Sequence, residues 1–122
     1  MRLTTRCIRS IPLALAGLFA VGAQAQALDG TLKKIQDSNT ILIGVRESSI
    51  PFSYRDSQNK IIGFSADLCS RVIDAVKQKT GKPNLQVQQI PVTSQNRTSL
   101  VQNGSVDLEC GVTTHLKSRE QQ

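Results

Sequence analysis

Residues 40–47, Thr40-Ile41-Leu42-Ile43-Gly44-Val45-Arg46-Glu47, decide how this chain folds. An apolar, β-branched run without polar alternation is the pattern of a strand buried on both faces of a parallel sheet. It ends abruptly in Arg46 and Glu47. Two later segments end in the same manner. Thr93-Ser94-Gln95-Asn96-Arg97 follows a strand-like stretch over 85–91, and Cys110-Gly111-Val112-Thr113-Thr114, with Arg119 beyond it, closes another over 106–111. In an open α/β sheet, ligands bind outside the carboxyl ends of the strands. Three arginines delivered there predict a small pocket for a molecule with more than one carboxylate.

The segments between these strands have helical or hairpin patterns. Residues 28–39 predict a short helix, with Leu32 and Ile35 three apart and lysines outside. Phe52 to Arg55 and Ile61 to Phe64 flank the polar turn Asp56-Ser57-Gln58-Asn59-Lys60 and predict a hairpin. Ser65 reads as the cap of a long helix in which Leu68, Val72, Ile73 and Val76 recur at helical spacing, stopped by Gly81-Lys82-Pro83. Ser94 reads as the cap of a shorter helix through Gln102, closed by Asn103-Gly104. Strands alternating with helices imply an α/β fold with a parallel sheet and flanking helices.

The chain has 122 residues, a formal charge of +6 and a pI near 9.7, which alone would suggest a nucleic-acid partner. The first 27 residues remove that reading. Arg2, Arg6 and Arg9 precede the apolar run Ile11 to Val21 and the small-residue stretch Ala23-Gln24-Ala25-Gln26-Ala27. This is the three-part pattern of a secretory signal peptide, with an apolar run too short to span a bilayer. Cleavage after Ala25 or Ala27 removes three of 15 basic residues and none of the 9 acids, leaving 12 against 9, or +3. No cysteine lies at the cleavage region, so a lipid anchor is not expected. Cys7 is removed with the leader; an oxidising compartment permits, but does not require, a disulfide between Cys69 and Cys110. Cys69, on a helix face, reads as a small buried apolar residue. Cys110 stays open between that role and a bridge to a partner that could lie past residue 122. The last residues read as the first turns of a helix, so residues 28–122 are expected to be the N-terminal part of a longer domain.

Several separated motifs agree in order with a known family. Val45-Arg46-Glu47-Ser48-Ser49-Ile50-Pro51-Phe52-Ser53-Tyr54 and Gly63-Phe64-Ser65-Ala66-Asp67-Leu68 resemble the opening lobe of periplasmic amino-acid-binding proteins, the substrate-binding components of ABC transporters. Residues 93–97 and Glu109-Cys110-Gly111-Val112-Thr113-Thr114 are similar to the glutamate/aspartate-binding branch. The resemblance implies a periplasmic monomer whose two α/β lobes close on L-glutamate or L-aspartate and hand it to an inner-membrane ABC permease. It implies that Arg46 approaches the ligand's side-chain carboxylate, that Ser94 and Arg97 contact the ligand, that Thr114 adds a hydroxyl or backbone amide, and that Arg119 pairs with the α-carboxylate. The branch often has serine where this chain has Val112, and a second lobe usually helps hold the amino group. The isolated piece is expected to bind weakly or not at all, and a lobe lacking its returning elements to expose an apolar sheet edge.

Arginine suits this task because its planar fork matches a carboxylate with two parallel hydrogen bonds, which lysine cannot do. Other readings carry less. Arg55 and Arg71 read as solvated charges, Thr113 as structural, and Ser94 as compatible with a purely capping role. His115, the only histidine, has no ligand cluster around it and predicts no metal site; no cofactor is expected. Asn96-Arg97-Thr98 and Asn103-Gly104-Ser105 match short glycosylation sequons, which arise by chance. Two alternatives remain: a periplasmic enzyme on the same fold, such as a cyclohexadienyl dehydratase, and a ligand-sensing receptor domain. The enzyme needs an acid or base in the cleft, for which Glu47 is the candidate, though Glu47 reads more simply as the salt-bridge partner of Arg46.

Overall fold

The computed structural model describes residues 27–120, so the leader read from residues 1–27 lies almost wholly outside it. Helix α1 (Gly30–Ser38) buries Ile35 and stops where Asn39 adopts the left-handed conformation at φ 52. Strand β1 (Thr40–Val45) follows at once. A small antiparallel meander comes next: β2 (Ser48–Ser49), β3 (Ser53–Arg55) and β4 (Ile61–Ile62). Helix α2 (Phe64–Thr80), strand β5 (Gln86–Pro91), helix α3 (Arg97–Gln102), strand β6 (Leu108–Cys110) and a 3-10 turn (Lys117–Arg119) complete the order.

The main sheet has the order β5-β1-β6, all parallel. Its central strand is the apolar run, and Ile41, Ile43 and Val45 are all at most 4% exposed. With a neighbour on each side, every such residue contributes to the core directly. Val45 pairs with Pro91 on one side and with Cys110 on the other, so the three strands end in one row.

Helix α2 covers one face of this sheet. It buries Cys69, Ile73 and Thr80, with Ala66 and Val76 packed against the core, while Leu68 and Val72 remain 47% and 44% exposed. The covalent bond between Cys69 and Cys110 selects that face, corrects the reading of Cys69 as an unpaired apolar residue, and closes the choice left open for Cys110. The start of α2 also differs from expectation. The helix begins at Phe64, and Ser65 Oγ donates to the carbonyl of Gly111 (2.7 Å) instead of capping. Gly63, at φ +120, is required there: a Cβ would lie 2.5 Å from the Phe52 carbonyl oxygen. The stop at Gly81 (φ 67) follows the sequence reading, with the Lys82 N–H donating to the Lys77 carbonyl.

Asp107 acts as an internal tie. Its side chain is 2% exposed, accepts from the Leu42 N–H (2.9 Å), and pairs with Lys34 Nζ (2.8 Å), which also donates to the Gly104 carbonyl. One carboxylate thus joins α1, β1 and the approach to β6. The outer strand β5 is exposed along most of its length, but its edge is polar rather than apolar, carrying Gln86, Gln88 and Gln89 with Val87. Among the described residues no helix is long and apolar enough to cross a membrane, and no group of His, Cys, Asp and Glu could hold a metal ion.

The bridge closes a loop with a sequence separation of 41. Replacing Cys69 and Cys110 by serine is expected to cost about 4 kcal/mol by loop-closure entropy, read as a fall in the denaturation midpoint with and without reductant. Asp107→Ala strands the Leu42 backbone N–H, and should cost about 1–3 kcal/mol in the same measurement.

Candidate functional site

The row in which the three strands end sets where the next residues can lie. Arg46 leaves β1 under close control: its N–H donates to Ser53 Oγ (3.1 Å), and Ser53 Oγ donates back to its carbonyl (2.8 Å). Ser53 is fully buried, so this reciprocal clamp is shielded from water. The Arg46 guanidinium donates from Nε to Ser49 Oγ (3.1 Å), and from Nη1 to the Val92 carbonyl (3.4 Å) and Ser94 Oγ (3.3 Å). Arg46 and Ser94 are therefore brought together, in an open hollow of about 410 Å³ that Glu47, Ser48 and Thr93 also line.

Ser94 does not cap α3. That helix starts at Arg97, and the turn before it is closed by Thr93 and Asn96: the Thr93 N–H donates to Asn96 Oδ1 (2.8 Å), and the Asn96 N–H to Thr93 Oγ1 (3.2 Å). The Ser94 hydroxyl is left to accept from Arg46. Arg97 points away from that hollow into a second one, of about 250 Å³, lined by Arg97, Thr98, Val101, Glu109, Thr113 and Arg119 among others. Thr113, read as structural, thus faces the two arginines. Arg119 sits on the 3-10 turn and donates from Nη1 to the Thr114 carbonyl (3.1 Å). Thr114 is exposed and meets Arg119 through its backbone.

The structure thus groups Arg46 with Ser94, and Arg97 with Arg119 and Thr114. What joins the two groups is Glu109, which sequence reasoning passed over. Its carboxylate is 13% exposed, with Oε1 3.9 Å from Nη1 of Arg97, itself 12% exposed. A Cβ at Gly111 would run into both Glu109 Oε1 and Arg46 Cγ, the latter at 2.8 Å, so only glycine leaves room for the two side chains to approach one another. A usable signal existed: Asp107 and Glu109 are two acids at and inside the start of a strand in a packed sheet, where a buried charge must be paired.

Glu47 is not the partner of Arg46. It forms an ion pair with Arg55, which also donates to the Asn59 carbonyl (2.9 Å), and this corrects the reading of Arg55 as a solvated turn charge. The cause is register: Ser48 pairs with Tyr54, which sets Glu47 beside Arg55 on the neighbouring strand. Arg71 is exposed, as expected, and His115 meets Glu120 on the surface.

Comparison with known proteins agrees with this architecture. The profile of bacterial extracellular solute-binding proteins, family 3, matches residues 41–122. A glutamate/aspartate import solute-binding protein of Escherichia coli K12 is 47% identical over 123 residues, which cover 100% of this chain and 41% of that protein. An L-glutamate/L-aspartate-binding protein of Pseudomonas aeruginosa is 48% identical over 109 residues, 88% of this chain and 36% of that protein. Among solved structures, the cysteine-binding protein of Campylobacter jejuni superposes with a TM-score of 0.64 at 28% identity, over 75% of this chain and 36% of that one. The chain belongs to family 3 of the bacterial extracellular solute-binding proteins. It spans well under half the length of the curated relatives it matches.

The two polar arrangements around Arg46 should differ sharply in weight. Ser53→Ala removes a buried hydroxyl that both donates and accepts, and should cost about 1–3 kcal/mol. Glu47→Gln touches an exposed pair and should cost less than about 1 kcal/mol. Urea denaturation of the two variants checks the contrast.

Proposed function

We propose that this chain is the opening part of a periplasmic receptor that captures L-glutamate or L-aspartate and delivers it to an inner-membrane ABC permease. In this reading residues 1–27 are the cleaved leader, and residues 28–122 belong to the first lobe of a monomeric, two-lobed protein. The observation that carries it is the placement of Arg46 in one hollow, and of Arg97 with Arg119 in a second, both past the carboxyl ends of one parallel sheet. The names of relatives 47% and 48% identical to this chain point to the same ligands.

Each group then has a task. Arg46, already steadied by Ser49 and the Val92 carbonyl, receives the side-chain carboxylate with Ser94 beside it. Arg97 and Arg119 receive the α-carboxylate, with Thr114 next to Arg119. A neutral or basic amino acid leaves one of these guanidinium groups without its carboxylate partner, which costs about 3–5 kcal/mol where the group is buried. That asymmetry is the source of selectivity. Both nearby carboxylates already face a cation, Glu47 pairing with Arg55 and Glu109 standing 3.9 Å from Arg97. This favours binding without chemistry over a dehydratase. We assign the ligand's ammonium in part to groups of the second lobe, and closure around the ligand to a population shift driven by contacts from both lobes.

Calorimetric titration of the complete natural protein with glutamate, aspartate, glutamine and arginine tests the proposal. Binding of the two acidic amino acids, with at least a hundredfold preference over glutamine, is the expected result. Arg97→Ala should weaken glutamate binding by a similar factor. Binding of glutamine or arginine in preference, or of none of the four, overturns it.

A further inference from the structure

We propose that Glu109 is a positioning residue, which holds the guanidinium of Arg97 aimed into the site while leaving its donor free for the ligand. The inference rests on the acidic-amino-acid reading for the identity of that ligand.

Three observations carry it. First, the contact is an ion pair and not a hydrogen bond: Oε1 and Nη1 stand 3.9 Å apart, and neither of these buried atoms has a hydrogen-bond partner among the described residues. Buried polar atoms are normally satisfied, so an unsatisfied pair facing a hollow marks donors and acceptors kept in reserve. Second, Glu109 cannot easily retreat. It lies in β6, whose next residue is fixed to α2 through the disulfide, and its carboxylate occupies the space that a side chain at position 111 would fill. Third, the charge count is suited to one carboxylate. The hollow of Arg97, Arg119 and Glu109 carries two positive charges and one negative, a net +1. A ligand carboxylate can then hydrogen-bond to Arg97 without displacing Glu109.

The alternative roles make different demands. A purely structural pair would act on stability and not through Arg97. A competing internal anion would tighten ligand binding when removed. A positioning residue weakens it, and only while Arg97 is present.

The test uses the complete natural protein and has two arms. In the first, protein labelled with ¹⁵N-arginine reports the side-chain Nε–H signal of Arg97, identified by its loss in Arg97→Ala, with no ligand added. Glu109→Gln is expected to lower the order of that group and speed its exchange with water, whereas Glu109→Asp, which keeps the charge, should retain most of the order. In the second arm, Glu109→Gln should raise the glutamate Kd about tenfold, and Glu109→Asp should raise it less. In the Arg97→Ala background, Glu109→Gln should add no further loss, because both changes act through one guanidinium. An unchanged Arg97 signal in Glu109→Gln overturns the proposal whatever the ligand is. So does tighter glutamate binding, or a full tenfold loss in the Arg97→Ala background. If the unaltered protein binds neither glutamate nor aspartate, the functional reading fails, and the ligand-free arm still decides the role of Glu109.

Discussion

The parallel pairing of β1 between β5 and β6 is the constraint on which the rest of this structure depends. Because Val45 stands level with both Pro91 and Cys110, the chain leaves all three strands along one rim. Arg46, the Val92 to Ser94 segment and the Gly111 to Thr114 segment are the residues that come immediately next. No long-range folding of loops is needed to assemble them. Register does that work, and a one-residue slip would turn every side chain of the slipped strand to the other face. The core therefore specifies the site: the burial of Ile41, Ile43 and Val45 is what holds that register.

A cluster of cations at such a rim would repel itself if left alone, and the fold answers this with partners at graded strength. Arg46 is steadied by neutral acceptors, namely two hydroxyls and one carbonyl. Arg119 has a single carbonyl. Among the described residues, Arg97 alone of the three faces a carboxylate, at a distance that gives attraction without a hydrogen bond. Neutral acceptors orient a guanidinium without cancelling its charge. The positive potential that draws an anion therefore persists, and it is reduced only where a charge of opposite sign has been built in.

The architecture was legible because it is written in periodicity. The run Ile41 to Val45, the glycine stop at Gly81 and the alternation of strands with helices all follow from local rules. The order of the main-sheet strands and helices came out as expected, while the short strand β2 was not foreseen. Local rules failed where a residue's partner is distant in sequence. Ser65 and Ser94 both sit where capping serines are found, yet Ser65 turns to Gly111 and Ser94 to Arg46, 46 and 48 residues away. Glu47 was assigned to its neighbour Arg46, but the hairpin register gives it to Arg55. The Cys69–Cys110 bond and the Asp107 tie are long-range for the same reason. Leu68 and Val72 show the limit from another side: helical spacing identifies the helix, but the partner surface decides which of two adjacent apolar stripes is buried.

Strand β6 links these themes, since alternation along its three residues gives it two duties on opposite faces. Cys110 faces α2 and is bonded to Cys69, while Glu109, one residue earlier, projects to the opposite side toward Arg97. A strand of this length gains little from its own ladder. It is held by the disulfide on one side, by Asp107 accepting from Leu42 at its approach, and by the Ser65 hydroxyl on the Gly111 carbonyl at its exit. Two of those attachments come from α2, through Cys69 and Ser65, and the third from β1 through Leu42, so β6 is tied at once to the helix and to the central strand. The carboxylate that faces Arg97 is in this way fixed to the core and not to a loop, although the arginines it serves lie at the rim. Fixing the anion rather than the cations leaves the long guanidinium side chains free to adjust to a ligand, while their average position stays tied to the sheet.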